Sequence, residues 1–199
     1  MPALTLSMIV KNEEKYLRGC LESVKSIVDE IIIVDTGSTD KTIDIAKEFG
    51  AKIFNFKWIK DFSAARNFAL KKSTGKWIIY LDADERLDED SIDEVKSFIK
   101  LNDKVGCFCA VHSIDTGNGS PNVMNYPRLF KNSGKIYFAG RIHEQIIDSL
   151  KKERYKLYPS NIKITHLGYN ISLDDLRLKA KRNLDYLLED YIWILFCFI

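Results

Sequence analysis

The stretch "WIIYLDADERL", Trp77–Leu87, joins a strongly apolar segment directly to a group of acidic side chains. Five of its first six residues are apolar, and four carboxylates then fall within seven positions, at Asp82, Asp84, Glu85 and Asp88. Carboxylates that lie close together repel one another and are costly to remove from water. The sequence therefore predicts a buried strand whose carboxyl end is either screened by water or bound to a positively charged group.

Similar apolar segments precede this stretch, and segments with helical periodicity separate them. The predicted strands before Lys76–Leu81 are Leu4–Val10, Ile31–Val34 and Ala51–Phe56. The predicted helices begin near Asn12, at Lys41, and at Asp61 or Ser63. Apolar strands that alternate with helices are typical of an α/β protein whose mostly parallel sheet is covered on both faces. Ligands of such sheets bind beyond the carboxyl ends of the strands, where this sequence is polar.

The pattern changes near Ser91. After a predicted helix, the strands expected at Val105–Asp115, Met124–Phe130, Lys135–Ala139 and Asn161–His166 indicate a small antiparallel extension. We expect one domain over residues 1–170, with the change of pattern dividing it into residues 1–90 and 91–170. Residues 171–199 are expected to form a C-terminal helix and an apolar tail, which suggests a truncated product or a tail that docks on a surface. The helix is predicted at Ser172–Asp190, with its apolar residues on one face: Leu173, Leu176, Ala180, Leu184 and Leu187.

Composition narrows the class of protein. The 30 basic and 28 acidic residues nearly cancel, which gives no reason to expect binding to nucleic acid or strong attraction to membranes. The apolar tail is shorter than the roughly 20 residues of a membrane-spanning helix. Lys11–Glu14 interrupts the first apolar segment, so no signal peptide is predicted. The four cysteines lack zinc-binding spacing and are interpreted as reduced thiols of a cytosolic protein: Cys20, Cys107, Cys109 and Cys197.

Three groups of residues could carry chemistry. Asp82 and Asp84 are two positions apart, which in a strand places both carboxylates on one side, and such oxygen ligands suit Mg²⁺ or Mn²⁺ beside a phosphate. An acidic loop that caps the next helix is equally compatible with the pattern.

Asp35 could accept a hydrogen bond from a base or ribose, or could belong to an ordinary strand–turn–helix joint. Arg66 could pair with an acid or reach a diphosphate. The glycine patterns of dinucleotide-binding and ATPase loops are missing.

Four motifs together resemble the family 2 glycosyltransferases, which have the GT-A fold. They are "LSMIVKNEEKYL", "EIIIVDTGSTDKT", "DFSAARNFAL" and "WIIYLDADE", and they span roughly residues 3 to 90 in the family's order and spacing. A weaker likeness continues through "YPRLFKN", "GRIHEQI" and "ITHLGY". These later motifs resemble the bacterial branch that contains lipopolysaccharide-core glucosyltransferases and peptide S-glycosyltransferases. The resemblance implies a GT-A nucleotide-diphospho-sugar transferase fold in one catalytic domain, with residues 1–90 as its nucleotide-binding half and residues 91–170 as its acceptor half.

The resemblance also implies roles for residues of the nucleotide-binding half. The strand from Ser7 to Val10 would line the base of the nucleotide, and Asp35 would bind the uracil ring. Arg66 would hold the polar network of the site. Asp82 would face the ribose and the metal, and Asp84 would ligate the Mn²⁺ or Mg²⁺ ion that bridges the diphosphate.

For the acceptor half, inversion at the anomeric carbon requires a base that deprotonates the acceptor. Glu144 is the preferred candidate, while His143 could instead be the base or orient the diphosphate. His166 could be a third protein ligand of the metal or a phosphate contact, or a structural residue at a strand end. Arg128 could contact donor or acceptor, or only cover the sheet.

The implied reaction transfers a sugar from UDP-glucose or UDP-N-acetylglucosamine to a glycan, a lipid-linked saccharide such as lipopolysaccharide core, or a peptide. A cytoplasmic location, peripheral association with the inner face of the membrane and a homodimer are compatible with it. The alternatives are a sugar-phosphate nucleotidyltransferase and a truncated nucleotide-sugar-binding remnant without activity. The first alternative should carry a Gly-rich basic loop after the first strand, which Val10–Glu14 is not. The Q-x-x-R-W motif of processive members is missing.

Overall fold

The structure is a computed structural model that describes residues 3–101, 103–114, 122–168, 174, 177, 178 and 180–188. Its core is an eight-stranded sheet with the strand order β3-β2-β1-β4-β7-β6-β8-β5. The strands are β1 (Leu4–Val10), β2 (Glu30–Asp35), β3 (Lys52–Asn55), β4 (Trp77–Tyr80), β5 (Glu85–Leu87), β6 (Val105–Ser113), β7 (Asn122–Lys131) and β8 (Lys156–His166). The helices are α1 (Leu17–Val24), α2 (Thr42–Glu48), α3 (Phe62–Lys72), α4 (Ile92–Phe98) and α5 (Ile147–Lys152), with a 3₁₀ turn at Glu89–Ser91.

The first four strands form the parallel part of the sheet. β1 pairs with β2 and β4, and β2 pairs with β3, all in parallel. β2 and β4 are buried along their whole length, as expected for strands covered on both faces. Val10 lies opposite Asp35 in the register, so the carboxyl ends of β1 and β2 reach the same edge of the sheet. This confirms the predicted parallel arrangement.

The later strands form a mixed extension. β7 joins the parallel part by antiparallel pairing with β4, and β6 pairs antiparallel with β7. β8 then runs parallel to β6 and antiparallel to the short β5. In this register His166 lies opposite both Glu85 and Ser113. The end of β8 is therefore brought back to the acidic stretch that follows β4.

Apolar packing covers both faces of the sheet. On one face the fully buried Leu17, Leu21 and Val24 of α1 belong to the largest hydrophobic cluster, together with β1 and the buried Trp77. On the other face Ala69 of α3 packs with Ile32 and Val34 of β2. The small residues of α3 allow this helix to approach the sheet closely, which places Arg66 of the same helix above the carboxyl edge.

Some predicted elements differ from the observed ones. Asn12 does not cap a helix: it has a φ of 55° and its side chain accepts a hydrogen bond from the Thr39 amide, so it ties together the loops after β1 and β2. The predicted strand Lys135–Ala139 contributes only an isolated bridge between Ala139 and Gln145. β8 begins five residues before the predicted Asn161. The loop from 115 to 121 and the apolar tail, including Cys197, lie outside the described residues.

The C-terminal helix and the cysteines are described in part. Residues 180–188 are helical, within the predicted helix Ser172–Asp190. Cys20, Cys107 and Cys109 are buried free thiols. In the described portion of the chain, no helix has the combination of length and hydropathy needed to cross a membrane.

Candidate active site

A cavity of about 560 Å³ opens at the carboxyl edge of the parallel strands. The loop ends after β1, β2 and β4 contribute to its wall, as do α3, the loop before α5, the end of β8 and the helical segment 180–188. The lining includes Val10, Lys11, Thr36, Trp58, Phe62, Arg66, Asp82, Asp84, His143, Glu144, His166, Arg182, Asn183 and Tyr186. Six of the predicted site residues therefore share one cavity with Val10, although they come from distant parts of the sequence.

The acidic stretch reaches the cavity through a turn rather than a strand. β4 ends at Tyr80, and the Glu85 amide donates to the Asp82 carbonyl at 3.0 Å. Arg86 donates hydrogen bonds to the carbonyls of Ala83 and Glu85, and these bonds stabilise the turn. We expected the alternation of side chains along a strand to place Asp82 and Asp84 side by side, but β4 ends at Tyr80, before both residues. Both side chains line the cavity because the turn directs them there.

Arg66 joins two carboxylates that lie far apart in the sequence. Its Nη2 donates to Asp82 Oδ1 at 2.6 Å, and its Nε donates to Glu144 Oε1 at 2.5 Å. Burial alone would raise the pKa of Asp82, but the positive charges of Arg66 and Arg128 outweigh it and hold that pKa well below its usual range. Asp82 is therefore an anion whose position is set by a buried ion pair.

Arg128 lies beneath this network rather than in the cavity wall. It is 6% exposed, and its Nη2 donates to Glu85 Oε1 at 2.5 Å. Glu85 in turn accepts from the Asp82 amide at 2.8 Å. The guanidinium also stacks 4.5 Å from the ring centre of Tyr80. In this structure Arg128 supports the acidic turn through Glu85, a residue that the sequence pattern did not distinguish from its acidic neighbours.

Asp84 faces His166 across the cavity floor. Asp84 Oδ2 and His166 Nε2 are 3.2 Å apart, and the other ring nitrogen lies 3.3 Å from Ser113 Oγ. The hydrogen bond to Asp84 is the largest cause of a raised pKa at His166, against the lowering effect of burial. The pairing of β8 with β5 and β6 produces this contact, so a strand register places the histidine at the site.

Gly168 lets the backbone pass close to Asp84 and His166. A Cβ at position 168 would overlap Asp84 Oδ2 and would lie 2.6 Å from His166 Nε2, closer than real Cβ contacts come. Only glycine lets the backbone pass there without displacing the carboxylate or the ring. The role of this residue could not be read from the sequence, since it depends on a contact between residues 84 positions apart.

The donor atoms of Asp84 and His166 fit a divalent cation. A carboxylate oxygen and an imidazole nitrogen are ordinary ligands of Mn²⁺, and both side chains line the cavity. Asp82 is committed to Arg66 by one of its oxygens. In the described ranges no group of three or more His, Cys, Asp or Glu side chains is arranged to hold an ion. The protein would thus offer an open site that a phosphate must help to complete.

The residues predicted to bind the nucleotide base divide into two groups. Val10 lines the cavity beside Lys11 and Thr36. Ser7 is buried within β1, and Asp35 is 7% exposed and accepts hydrogen bonds from the amides of Gly37 and Ser38. In this structure Asp35 therefore shapes the loop after β2, with Gly37 at a φ of 109°.

His143 and Glu144 line the same cavity as the acidic turn. His143 has a φ of 54°, a left-handed conformation that is uncommon outside glycine, although histidine adopts it more often than most residues, and that is often found at functional sites. Glu144 is held by Arg66, and its side chain is 13% exposed. Both predicted catalytic candidates thus share a cavity with Asp82 and Asp84.

The sequence model described as "Glycosyl transferase family 2" matches residues 5–166. The chain belongs to this family. The match includes the acidic turn, Arg66, Glu144 and His166, and it ends where β8 ends.

Two relatives match most of this chain. A TPR repeat-containing protein of Synechococcus elongatus is 40% identical over 176 residues, which are 85% of this chain and 43% of the relative. The SPbeta prophage-derived glycosyltransferase SunS of Bacillus subtilis is 32% identical over 194 residues, or 92% of this chain and 44% of the relative. The chain therefore spans less than half the length of these relatives.

Solved structures share the architecture at low sequence identity. Staphylococcus aureus TarS in complex with UDP-GlcNAc has a TM-score of 0.64 at 18% identity, covering 82% of this chain and 58% of the TarS chain. Glucosyl-3-phosphoglycerate synthase from Mycobacterium tuberculosis, in complex with Mn²⁺, UDP and phosphoglyceric acid, has a TM-score of 0.62 at 17% identity, covering 94% and 77% of the two chains. These similarities confirm the predicted GT-A fold.

Proposed function

We propose that this chain is the catalytic domain of a metal-dependent, inverting glycosyltransferase that uses a UDP-sugar as donor. The observation that carries the proposal is the convergence of Asp82, Asp84, His166, Arg66 and Glu144 on one cavity at the carboxyl edge of a parallel sheet. Membership of family 2 supports glycosyl transfer. The TarS and synthase structures, which contain UDP-GlcNAc or UDP, support a uridine nucleotide.

The nucleotide would lie across the ends of β1, β2 and β4. Its base would occupy the end of the cavity formed by Val10 and Thr36, next to the loop that Asp35 shapes. Asp35 would bind the uracil ring, and Ser7 would support the strand beneath it. Asp82 would face the ribose, held in place by Arg66 and, through Glu85, by Arg128. UDP-glucose and UDP-N-acetylglucosamine are the proposed donors.

Asp84 and His166 are the residues that would hold Mn²⁺ or Mg²⁺. When bound, the ion would neutralise the negative charge that develops on the diphosphate as the glycosidic bond breaks. The contribution of this chain is to keep the Asp84 carboxylate and the His166 ring 3.2 Å apart in the cavity lining, where a glycine at position 168 lets the backbone pass close to both.

Glu144 would accept the proton of the acceptor as the acceptor attacks the anomeric carbon from the side opposite the diphosphate. Its carboxylate lies in the cavity wall, and Arg66 holds one of its oxygens. A general base must be held within hydrogen-bonding reach of the proton that it takes. His143, at the preceding position with a φ of 54°, would orient the diphosphate or serve as the base in place of Glu144.

The proposed acceptor is a glycan, a lipid-linked saccharide or a peptide. A lipid-linked acceptor would place the enzyme at the cytoplasmic face of the inner membrane. A homodimer is a further proposal, which sedimentation of the full chain would test.

The test is a calorimetric titration of the protein with UDP, in buffer containing MnCl₂ and in buffer containing EDTA. We expect binding that is at least about tenfold tighter with the ion, since each tenfold change reflects about 1.4 kcal/mol and ion–phosphate contacts supply several. Hydrolysis of UDP-glucose and UDP-N-acetylglucosamine would then identify the donor. The absence of UDP binding, or equal binding in both buffers, would contradict the metal-dependent proposal.

A further inference from the structure

The helical segment 180–188 forms a wall of the cavity although it lies beyond the residues that the family model matches. Tyr186 is 9% exposed, and its hydroxyl accepts a hydrogen bond from Trp58 Nε1 at 3.2 Å. The Arg182 guanidinium lies 5.5 Å from the ring centre of Phe62, at the start of α3. Two aromatic residues thus attach this segment to the rim of the cavity, and Arg182 and Asn183 face the cavity from it.

The negative charge of a diphosphate requires positive charge in the cavity. Three nearby arginines already use their guanidinium groups in contacts within the protein. Arg66 is 8% exposed and bridges Asp82 and Glu144. Arg128 pairs with Glu85 beneath the turn. Arg86 donates to backbone carbonyls, including that of Tyr16. Each of these guanidinium groups holds the protein together, so binding a phosphate would mean breaking a buried contact.

Arg182 differs from these three arginines. Its Nε and Nη2 donate to the side chain of the adjacent Asn183, at 3.3 and 3.1 Å, and the residue is exposed on the cavity wall. Stacking on Phe62 restricts the guanidinium plane, which lowers the entropy lost when the group binds an anion. A hydrogen bond to Asn183 is neutral and can be exchanged for a charge-assisted one.

We propose that Arg182 binds the diphosphate of the donor nucleotide, with the segment 180–188 as the wall that carries it. The inference rests on the proposed use of a nucleoside diphosphate-sugar. Arg182 lies outside the residues that the family model matches. Phe62 and the Trp58–Tyr186 hydrogen bond hold the segment that carries it. Arg182 supplies fixed positive charge opposite the carboxylates of the acidic turn, so the diphosphate would lie between the two.

The experiment measures UDP and uridine affinities of the full chain in MnCl₂, for the wild type and for Arg182→Ala, Arg182→Lys and Arg177→Ala. Arg177 is the matched control, because it lies in the same C-terminal region, pairs with Asp174 and has a side chain that is 78% exposed. We expect Arg182→Ala to weaken UDP binding about 10- to 100-fold, the effect of one charge-assisted hydrogen bond, and to leave uridine binding unchanged. Arg182→Lys should recover part of the loss, and Arg177→Ala should match the wild type.

The outcomes separate this inference from the proposed function. If the wild type binds UDP and Arg182→Ala binds it equally well, the diphosphate assignment is overturned while the proposed function stands, and Arg182 would then belong to the acceptor side. If UDP and uridine binding weaken equally, Arg182 acts through the shape of the cavity and the assignment is also overturned. If the wild type does not bind UDP, both proposals fail. Far-UV circular dichroism and melting temperature confirm that each variant is folded.

Discussion

Two clusters of carboxylates lie at opposite edges of the same parallel sheet. At the amino edge, Glu30 begins β2 and is 5% exposed. Its two oxygens accept hydrogen bonds from Thr5 Oγ1, the amide and hydroxyl of Thr74, and Lys52 Nζ, at 2.6 to 2.8 Å. At the carboxyl edge, Asp82, Asp84 and Glu144 share Arg66 and His166 and face a cavity.

The clusters differ in burial and in coordination: the Glu30 side chain is 2% exposed, whereas those of Asp82 and Asp84 are 37% and 20% exposed. Every oxygen of Glu30 is saturated by the protein, so that cluster stabilises the fold and has no capacity for a ligand. Asp84, by contrast, lines the cavity, with its Oδ2 3.2 Å from His166 Nε2. A carboxylate therefore indicates a binding site when it faces a cavity instead of being enclosed by donors of the protein. Substitutions in the two clusters should accordingly separate activity from stability.

The largest effect is expected at Asp84. Replacing it with asparagine removes the charge that would hold the metal, and we expect glycosyl transfer and donor hydrolysis to fall by at least about a thousandfold, since metal-ion stabilisation of the transition state is worth several kcal/mol. The melting temperature should change little. The matched control is Asp88→Asn, whose carboxylate binds Lys163 and Thr165 outside the cavity. Equal loss in both variants would show that the acidic stretch acts only through the fold.

The next effect is expected at Glu144. Glu144→Gln keeps the size of the side chain but removes its basicity, so transfer should fall about 10²- to 10⁴-fold while UDP affinity stays within about twofold. Because Arg66 loses one of its two charged partners, the free energy of unfolding should also fall, by about 1–3 kcal/mol. Single-turnover transfer rates and calorimetric UDP titration measure the two effects. Normal transfer by Glu144→Gln together with loss of transfer in His143→Gln would move the base to His143.

A smaller effect is expected at Gly168. In Gly168→Ala the new methyl group would overlap Asp84 and crowd His166, so the two ligands must separate. We expect a 10- to 100-fold loss of metal affinity or activity, the size found when the support of a metal ligand is disturbed. Gly50→Ala is the control: its φ of 68° makes alanine unfavourable by about 1 kcal/mol, but nothing lies within 4 Å of the new Cβ. An intact Mn²⁺ dependence in Gly168→Ala would remove the argument for this site.

The sequence predicted those parts of the molecule that depend on local pattern. Apolar strands between helices gave the parallel sheet and its carboxyl edge, and the cap at Asp61, whose side chain accepts from the Ala64 amide, began α3 as expected. The likeness of four motifs to family 2 pointed to Asp82, Asp84 and Arg66, and all three line the cavity.

Features that depend on long-range contacts could not be read in this way. The contact of Gly168 with Asp84 needs the β5–β8 register, and Arg128 supports Asp82 both through Glu85 and by an ion pair of 4.0 Å. The amphipathic pattern of the C-terminal helix pointed to its leucines, yet Leu184 and Leu187 are about half exposed while Tyr186 is buried. The hydrogen bond to Trp58 spans 128 positions, and no local pattern contains it.

The smallest effect on activity is expected at the amino edge. Glu30→Gln should leave the activity of the folded enzyme unchanged and lower the free energy of unfolding by about 1–3 kcal/mol, since a carboxylate with four donors is replaced by an amide that cannot accept from all of them. The control Glu48→Gln, in an exposed pair with Arg18, should change that free energy by less than about 1 kcal/mol. Urea unfolding at pH 7 measures both.

The dependence of stability on pH tests whether the charge of Glu30 causes this stabilisation. Burial alone would raise the pKa of Glu30, but the hydrogen bonds from Lys52, Thr5 and Thr74 lower it from 4.5 to about 2. A carboxyl with a lowered pKa in the folded state adds stability that is complete above the pKa of the unfolded chain and is lost as pH falls toward the folded value. The stability difference between wild type and Glu30→Gln should thus be constant above about pH 5 and shrink between pH 4.5 and 2. A difference that stays constant to pH 2 would mean that the cluster acts through packing, not charge.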